Sequence, residues 1–383
     1  RRQRQMCIRD RVTDLIAEGI ISGIGGVVIF IPQIAFLFLF ISILEESGYM
    51  SRVVFLMDRV MRRFGLSGKS VVPLISGTAC AIPAVMATRN IENWKERLIT
   101  ILVVPFTTCA ARLPVYLIII ALVIPDNSVM GLSYQALTLM GLYLIGFGMA
   151  IFSAYILDRI LKTKHKTFFV VEMPNYKLPL IKNVLITVIE KTKTFVLEAG
   201  KIILAISIVL WVMASYGPGD KFNNAESYVN KNSTFQSNYE LNDQIAAFKL
   251  EHSYIGIVGK TIEPLIRPLG YDWKVGIGLV ASFAAREVFV GTLATIYSVG
   301  SASEDEETIK TRMENETYED GTKVFTLASG ISLLLFYAFA MQCMSTLAIV
   351  RRETKSWKWP ILQLTGMTAI AYICALIAFQ TLK

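Results

Sequence analysis

The sequence has little charge and almost no histidine. Only 18% of its 383 residues are charged and two are His, whereas 54% are hydrophobic. An ordinary soluble domain carries about a quarter charged residues. The five cysteines include no CxxC pair, and four of them lie in or beside apolar runs. This composition argues against a soluble domain, a secreted disulfide framework and a zinc knuckle.

Motifs for catalysis and nucleotide binding are also missing. The sequence contains no Walker A motif, Gly-x-Ser-x-Gly elbow, HExxH or dinucleotide fingerprint. We therefore expect no enzyme activity and no GTP site in this chain. The net charge of +8 comes from basic residues scattered over loops. Because these residues form no patch with interleaved aromatics, nucleic acid is not an expected partner.

Long apolar runs dominate the chain. Crossing the roughly 30 Å core of a bilayer takes about 20 apolar residues in a helix. Runs approaching that length occur at 19–44, 98–124, 132–157, 195–216, 275–300, 324–350 and 360–382, and a run at 70–88 is interrupted by Pro73, Gly77 and Pro83. The sequence therefore predicts an all-α, polytopic integral membrane protein with broken helices, embedded in a lipid bilayer.

The two halves of the chain resemble each other. With an offset of 205, seven identities fall between 46–74 and 251–279, and Cys109 falls opposite Cys343 at an offset of 234. We predict a non-native leader at 1–11, a first repeat at 12–157, a basic linker at 158–194, and a second repeat with C-terminal helices at 195–383. The polar segment 218–253 is predicted to be an external loop.

Loop charge bears on the orientation of these repeats. The linker 158–194 carries eight Lys or Arg against three acids, whereas 301–323 carries three against eight. The first is therefore predicted to be cytoplasmic and the second external. Corresponding loops differ in charge, which favours an inverted over a parallel repeat. Inversion requires an odd number of crossings in each half, so 49–64 and 254–269 would have to span or partly span the membrane. The charges of 49–64 oppose that, and the parallel arrangement stays the alternative.

Three cysteines lie in or next to interrupted membrane segments. A proline or glycine inside such a segment frees backbone carbonyls that lipid cannot satisfy, so this backbone must face protein or a water-filled path. Thiols and thioethers there would offer soft ligands to a divalent transition metal. The alternative is that the cysteines are small packing residues and the methionines fill gaps, and we favour this for Cys374. The candidate ligands are Cys80, Cys109 and Cys343, with Met341 and Met344 as pathway candidates.

Charged residues within or near the membrane form a second group of candidates. Arg286 and Glu287 lie in the middle of an apolar segment and should face the protein interior, either as an ion pair that locks packing or with a role in cation passage. Glu46, next to Glu45, could attract cations at a pore mouth, although a solvated helix end is the simpler interpretation. Arg112 is expected to tie down a carbonyl or carboxylate.

The motifs GxxCxxPA around Cys80 and PFxxCxAR around Cys109 resemble those of the ferrous iron transport protein B family. The segments SFAAREVFVGTLATIY at 282–297 and AIVRRETKSWKWP at 348–360 are similar to its second gate region and C-terminal signature. The resemblance implies that Fe²⁺ is the transported substrate, that it is imported across the bacterial cytoplasmic (inner) membrane, and that the cysteines matching Cys80, Cys109 and Cys343 line its path.

The resemblance also implies partners. Small cytoplasmic iron-transport accessory proteins are expected, and a homo-oligomer is left open. Members of the family usually begin with a GTP-binding domain, a spacer and a further membrane helix, so we expect either a truncated chain or a GTPase on a separate chain. The rival interpretations are a carrier of a nucleoside or other organic solute and a non-transporting membrane scaffold or sensor.

Overall fold

The computed structural model describes residues 13, 21–125, 128–129, 132–161, 176–218, 245, 248–249, 251–283, 286, 289, 292–293, 313, 323–341 and 343–383. Most of these residues are helical, and Ser128–Val129 forms a two-residue antiparallel pairing with Leu132–Ser133. The predicted all-α class is confirmed. The helices are α1 Ser22–Glu46, α2 Tyr49–Met61, α3 Val71–Ala79, α4 Ala81–Ala87, α5 Trp94–Val103, α6 Leu113–Val123, α7 Tyr134–Ile160, α8 Ile181–Ser215, α9 Tyr254–Ile266, α10 Trp273–Ala281, α11 Leu327–Phe339, α12 Met344–Thr354 and α13 Lys358–Leu382.

Several helical stretches are long and apolar enough to cross a membrane. Within the described residues these are Trp94–Val123, which joins α5 to α6, then α7, then Leu327–Thr354, which joins α11 to α12, and finally α13. Helices α1 and α8 carry the apolar runs 19–44 and 195–216 and pack against each other. Large apolar side chains remain exposed along α13, as expected where a helix faces lipid.

The interrupted segment 70–88 is a re-entrant hairpin made of α3 and α4. The turn Gly68–Ser70 before α3 contacts the turn Thr88–Asn90 after α4. Beside them, Lys69 Nζ lies 2.9 Å from Glu92 Oε1, and the Thr100 hydroxyl donates to Ser70 Oγ at 2.8 Å. The nine residues of α3 rise about 13 Å, roughly half of the hydrocarbon core. Cys80, between the two arms, therefore lies about half a membrane thickness from the turns that flank the hairpin.

The two broken spans correspond in the repeat and run antiparallel. At one end, Arg97 near the start of the first span donates to Glu353 near the end of the second at 2.7 Å. At the other end, Gly330 near the start of the second span lies so close to Val123 that a Cβ at this position would overlap it. Antiparallel equivalents are what an inverted repeat requires. The tertiary structure thus agrees with the inverted arrangement that loop charge favoured.

The expectation that 49–64 spans or partly spans the membrane stays a prediction. Helix α2 and its following turn are bent by 84° from Ile34–Glu46, so they run across the direction of α1, and Phe55 and Leu56 are exposed. Within the described residues, four helical stretches have the length and composition of a membrane span, and the bent pair of Ile34–Glu46 with 49–64 would make a fifth.

One end of the bundle collects the basic segments. Lys95 Nζ lies 2.6 Å from Asp158 Oδ1, and Glu353 in the last turn of α12 forms ion pairs with Arg89 and Arg97. We call the end that carries 89–97, 158–161 and 351–358 the basic side. The predicted leader 1–11 and most of the loop 218–253 lie outside the described residues. Because α7 extends to Ile160 and α8 begins at Ile181, the predicted linker is helical at both ends, and the domain boundaries stay a prediction.

Candidate functional site

Each of the three candidate cysteines lies where the chain breaks between helices. Their backbone is extended, with φ and ψ of −154° and 133° at Cys80, −89° and 160° at Cys109, and −151° and 100° at Cys343. Each immediately precedes a helical segment, and each side chain is half-buried. The carbonyl of each cysteine accepts a hydrogen bond from the helical segment that follows it, from the N–H groups of Ala84 at 3.4 Å, Arg112 at 3.0 Å and Leu347 at 3.3 Å.

The hairpin and the first broken span meet next to Cys80. Helix α3 contacts the turn Ala110–Arg112 that follows Cys109. One turn before Cys80, a Cβ at Gly77 would overlap the Thr107 hydroxyl and lie 3.3 Å from Val104 Cγ1. Glycine thus allows the hairpin tip to approach the break at Cys109.

The hairpin also meets the second broken span. Helix α4 packs against α12, and the two helices end together because Arg89 donates two hydrogen bonds of 3.0 Å to Glu353. Helix α4 follows Cys80, helix α12 follows Cys343, and both helices lead to this contact. Cys80 and Cys343 therefore lie at similar distances from it along the two helices. Cys343 is also near enough to Cys109 for the two thiols to interact electrostatically.

Two buried arginines satisfy backbone carbonyls at the breaks. Arg112 is fully buried and donates to the carbonyls of Pro105 at 3.0 Å, Thr107 at 3.2 Å and Phe106 at 3.4 Å. This confirms its expected role as a structural tie. Arg286, 5% exposed, donates to the carbonyl of Ala340 at 3.2 Å.

Arg286 therefore faces the interior, as expected. It also lies within electrostatic range of Cys343. Glu287 lies outside the described residues, so an ion pair between the two stays a prediction.

Sequence reasoning missed a group of buried hydroxyls around the breaks. Tyr116 lies within electrostatic range of Cys109, as does the half-buried Tyr143 of α7. Within the described residues, the atoms that are buried and make no hydrogen bond of normal geometry include Thr108 Oγ1, Tyr116 Oη, Tyr337 Oη, Ser345 Oγ and Arg286 Nη1. Buried polar atoms of this kind are normally satisfied by water or an ion. The sequence signal that could have identified these hydroxyls is the presence of polar side chains inside apolar segments long enough to cross a membrane.

The cysteines do not form a ready-made metal centre. In the part of the chain that the structure describes, no three His, Cys, Asp or Glu side chains are grouped so as to hold a metal ion. Met341 is packed into the core at 1% exposure, whereas Met344 is 42% exposed. Ligand and pathway roles for these residues stay predictions, as does the packing role of Cys374, which is half-buried in α13.

A cavity opens between α1, the hairpin and α8. Its volume is about 690 Å³, and its lining includes Glu45 and Glu46 at the end of α1. The same lining includes Ser76 and Pro83, four residues before and three after Cys80 in the sequence. Glu46 accepts a hydrogen bond from Asn183 at 3.2 Å. The structure thus places Glu46 away from the cysteines, in a cavity that extends towards the hairpin tip.

A hairpin of two short helices packed beside two antiparallel broken spans is a plan common among membrane transporters. The chain belongs to the Gate family, described as "Nucleoside recognition", which matches residues 27–123 and 196–357. A second family, "Ferrous iron transport protein B C terminus", matches residues 139–191. The resemblance to the ferrous iron transport protein B family is therefore confirmed.

Similar proteins include the Fe(2+) transporter FeoB of Leptospira interrogans, 46% identical over 96% of this chain and 50% of the relative. The Fe(2+) transporter FeoB of Staphylococcus aureus is 38% identical over 96% and 49%. A Porphyromonas gingivalis relative, named as a fusion of Fe(2+) transport protein A with FeoB, is 34% identical over 96% and 44%. The chain thus spans about half the length of these relatives. No solved structure matches it.

Proposed function

We propose that this chain is the permease core of a ferrous iron transporter, which imports Fe²⁺ across the bacterial cytoplasmic membrane. The names of the relatives that it matches over 96% of its length support Fe²⁺ as the substrate. The observation that carries the mechanism is the position of Cys80, Cys109 and Cys343, each extended at a helix break. Sulfur ligands suit Fe²⁺ better than Mg²⁺ or Ca²⁺.

The arrangement suits passage better than storage. The three thiols are half-buried and do not close into a three-ligand group in the described conformation. Conduction requires sites that bind well enough to admit an ion and weakly enough to release it. We propose that Fe²⁺ is handed between pairs of ligands, with the buried hydroxyls of Thr108 and Tyr116 and bound water completing its coordination.

The cavity on the basic side provides the route out of the cysteine region. Excess positive charge marks the cytoplasmic side of membrane proteins, so this cavity would open to the cytoplasm. Glu45 and Glu46 line it together with Lys69, Arg89 and Lys191, and the two carboxylates would be the attractive groups for a leaving cation. In this mechanism the ion passes from the hairpin tip at Cys80 along Ser76 and leaves past the two carboxylates.

The test is uptake of radiolabelled Fe²⁺ by proteoliposomes that contain the full-length protein under reducing conditions. Replacement of a group that merely supports a metal ligand costs about 10–100-fold. We therefore expect Cys80→Ser, Cys109→Ser and Cys343→Ser each to lower uptake at least about tenfold. Cys374→Ser is the matched control and should keep wild-type uptake. Uptake by the triple serine variant equal to that of the control would refute the ligand roles.

A carrier of nucleosides is the second candidate, because the Gate family is described as "Nucleoside recognition". The hydroxyl groups near Cys109 could also bind a polar organic solute. Competition decides between the two functions. Excess unlabelled nucleoside should leave Fe²⁺ uptake unchanged, and saturable nucleoside uptake in the same proteoliposomes would favour the carrier instead.

The partners of the whole protein belong to the same proposal. One relative is named as a fusion with Fe(2+) transport protein A, which supports a small accessory protein that acts beside the permease. Coupling to GTP hydrolysis would require a domain outside the matched half of the relatives. Co-purification of a short accessory protein with the full-length transporter tests the first of these expectations.

A further inference from the structure

Two adjoining cavities lie on the basic side, where α12 ends and α13 begins. Their volumes are about 500 Å³ and 440 Å³, and they share Arg352 and Lys355 in their linings. The first extends towards Arg89 and Arg97 and the second towards Arg351. Together they form one two-lobed surface between the start of α5 and the α12–α13 turn, which we call the basic cleft.

The cleft carries a surplus of positive charge. Its linings contain five Lys or Arg side chains and one acid, Glu353. Glu353 is held by Arg89 and Arg97, so its carboxylate is committed within the fold. The exposed side chains of Lys355 and of Arg351, whose guanidinium lies 4.0 Å from the centre of the Trp357 ring, add positive charge beyond these pairs, which suits an anionic group.

The backbone conformation of Lys355 is a second observation that favours an anion-binding role for the cleft. Lys355 has φ 51° and ψ 25° and is the one non-glycine residue with positive φ in the described part of the chain. Glycine adopts this left-handed conformation at the end of a helix without steric cost, whereas a lysine does not. The turn therefore holds a positive side chain at the shared wall of the two cavities, although glycine would form the turn more easily.

The surroundings of the cleft are those of a membrane surface. It lies between the end of one span, Leu327–Thr354, and the start of the next, Lys358–Leu382. Trp94 and Trp357 beside it are 48% and 57% exposed, as tryptophans are at the bilayer interface. Immediately beyond, Ile361 and Leu362 of α13 are 55% and 52% exposed, so an apolar surface continues from the cleft into the bilayer.

We propose that the basic cleft binds the phosphate headgroup of an anionic phospholipid, whose acyl chains lie along α13. Basic pockets between membrane helices on the cytoplasmic side are suited to such headgroups. The continuity of charged cleft, tryptophans and exposed aliphatic helix favours a lipid over a free phosphate, because only a lipid uses all three surfaces. The cleft shares Arg89 with the cavity proposed as the route of the ion, but lipid binding there does not depend on the transported ion.

Native mass spectrometry of the full-length protein in detergent tests the proposal. The probes are dioleoyl-phosphatidylglycerol and dioleoyl-phosphatidylcholine, which share acyl chains and differ in charge. The test variant is Arg351→Gln with Arg352→Gln and Lys355→Gly, since glycine keeps the left-handed turn. The control removes three exposed lysines of α8 through Lys182→Gln, Lys191→Gln and Lys193→Gln.

We expect the wild type and the control to bind phosphatidylglycerol more tightly than phosphatidylcholine. Each basic residue near an anionic lipid contributes roughly a fivefold factor, so the triple variant should lose on the order of 100-fold in phosphatidylglycerol affinity. Lys355→Gly alone should lose roughly fivefold, which gives a second measurement if the triple variant fails to fold. Unchanged lipid preference in either folded variant would overturn the site. Complete displacement of phosphatidylglycerol by excess inorganic phosphate would overturn the lipid as its ligand.

Discussion

On the basic side, Glu353 of the second broken span forms ion pairs with Arg89 and Arg97 of the first half of the chain. The substitution Glu353→Gln tests how much these ion pairs stabilise the protein. The Glu353 side chain is 4% exposed and bonds Arg97, which is 21% exposed, and Arg89, which is 46% exposed. A hydrogen bond to a charged group contributes about 1.5–3 kcal/mol when shielded from water, and an exposed ion pair up to about 1 kcal/mol. The substitution should therefore lower the free energy of unfolding by roughly 2–4 kcal/mol.

The assay is unfolding of the purified protein by sodium dodecyl sulfate titration in mixed micelles. The matched control is Glu92→Gln, which removes an ion pair with Lys69 in which Glu92 is 88% exposed. This control should cost no more than about 0.5 kcal/mol. Helices α4 and α12 begin at Cys80 and Cys343, so Glu353→Gln should also change the yield of cross-linking between these thiols by a short bis-maleimide. A stability loss no larger than that of Glu92→Gln would refute this contribution of the Glu353 ion pairs.

Three further predictions concern the hairpin, the first break and the topology. Gly77→Ala should lower the free energy of unfolding by about 1–3 kcal/mol because the added methyl group overlaps Thr107, and unchanged stability would mean that the hairpin tip does not approach the break. Arg112→Leu should cost roughly 3 kcal/mol or more, since three buried carbonyls lose their donor; a stable variant would show that water replaces the guanidinium. In oriented vesicles, cysteines introduced at Lys355 and Ser128 should react with a membrane-impermeant maleimide from opposite sides, and labelling of both from one side would contradict the inverted repeat.

Much of the fold was predictable because apolar runs and charge have direct physical consequences in a bilayer. The runs at 98–124 and 324–350 became the two broken spans, and the breaks fell where Cys109 and Cys343 were noticed. The role of Arg112 followed from the cost of an unsatisfied carbonyl in a membrane. These inferences needed only local sequence and the properties of lipid.

The path of the segment 70–88 could not be obtained in this way. Its proline and glycines indicate a break at Cys80, but a kinked crossing and a re-entrant hairpin have the same local composition. The choice depends on which surfaces pack together, here the contact of Lys69 with Glu92 and of Thr100 with Ser70.

By itself the sequence determined that the protein lies in a lipid bilayer, where its helices are interrupted, and which side chains occur at the interruptions. Each of these properties depends on residues that are close together in the chain. Tertiary structure alone decided that the interruptions meet, that the corresponding spans are antiparallel, and that Glu353 joins Arg89 and Arg97. Such contacts between distant residues follow from how surfaces pack together, and no local pattern specifies them.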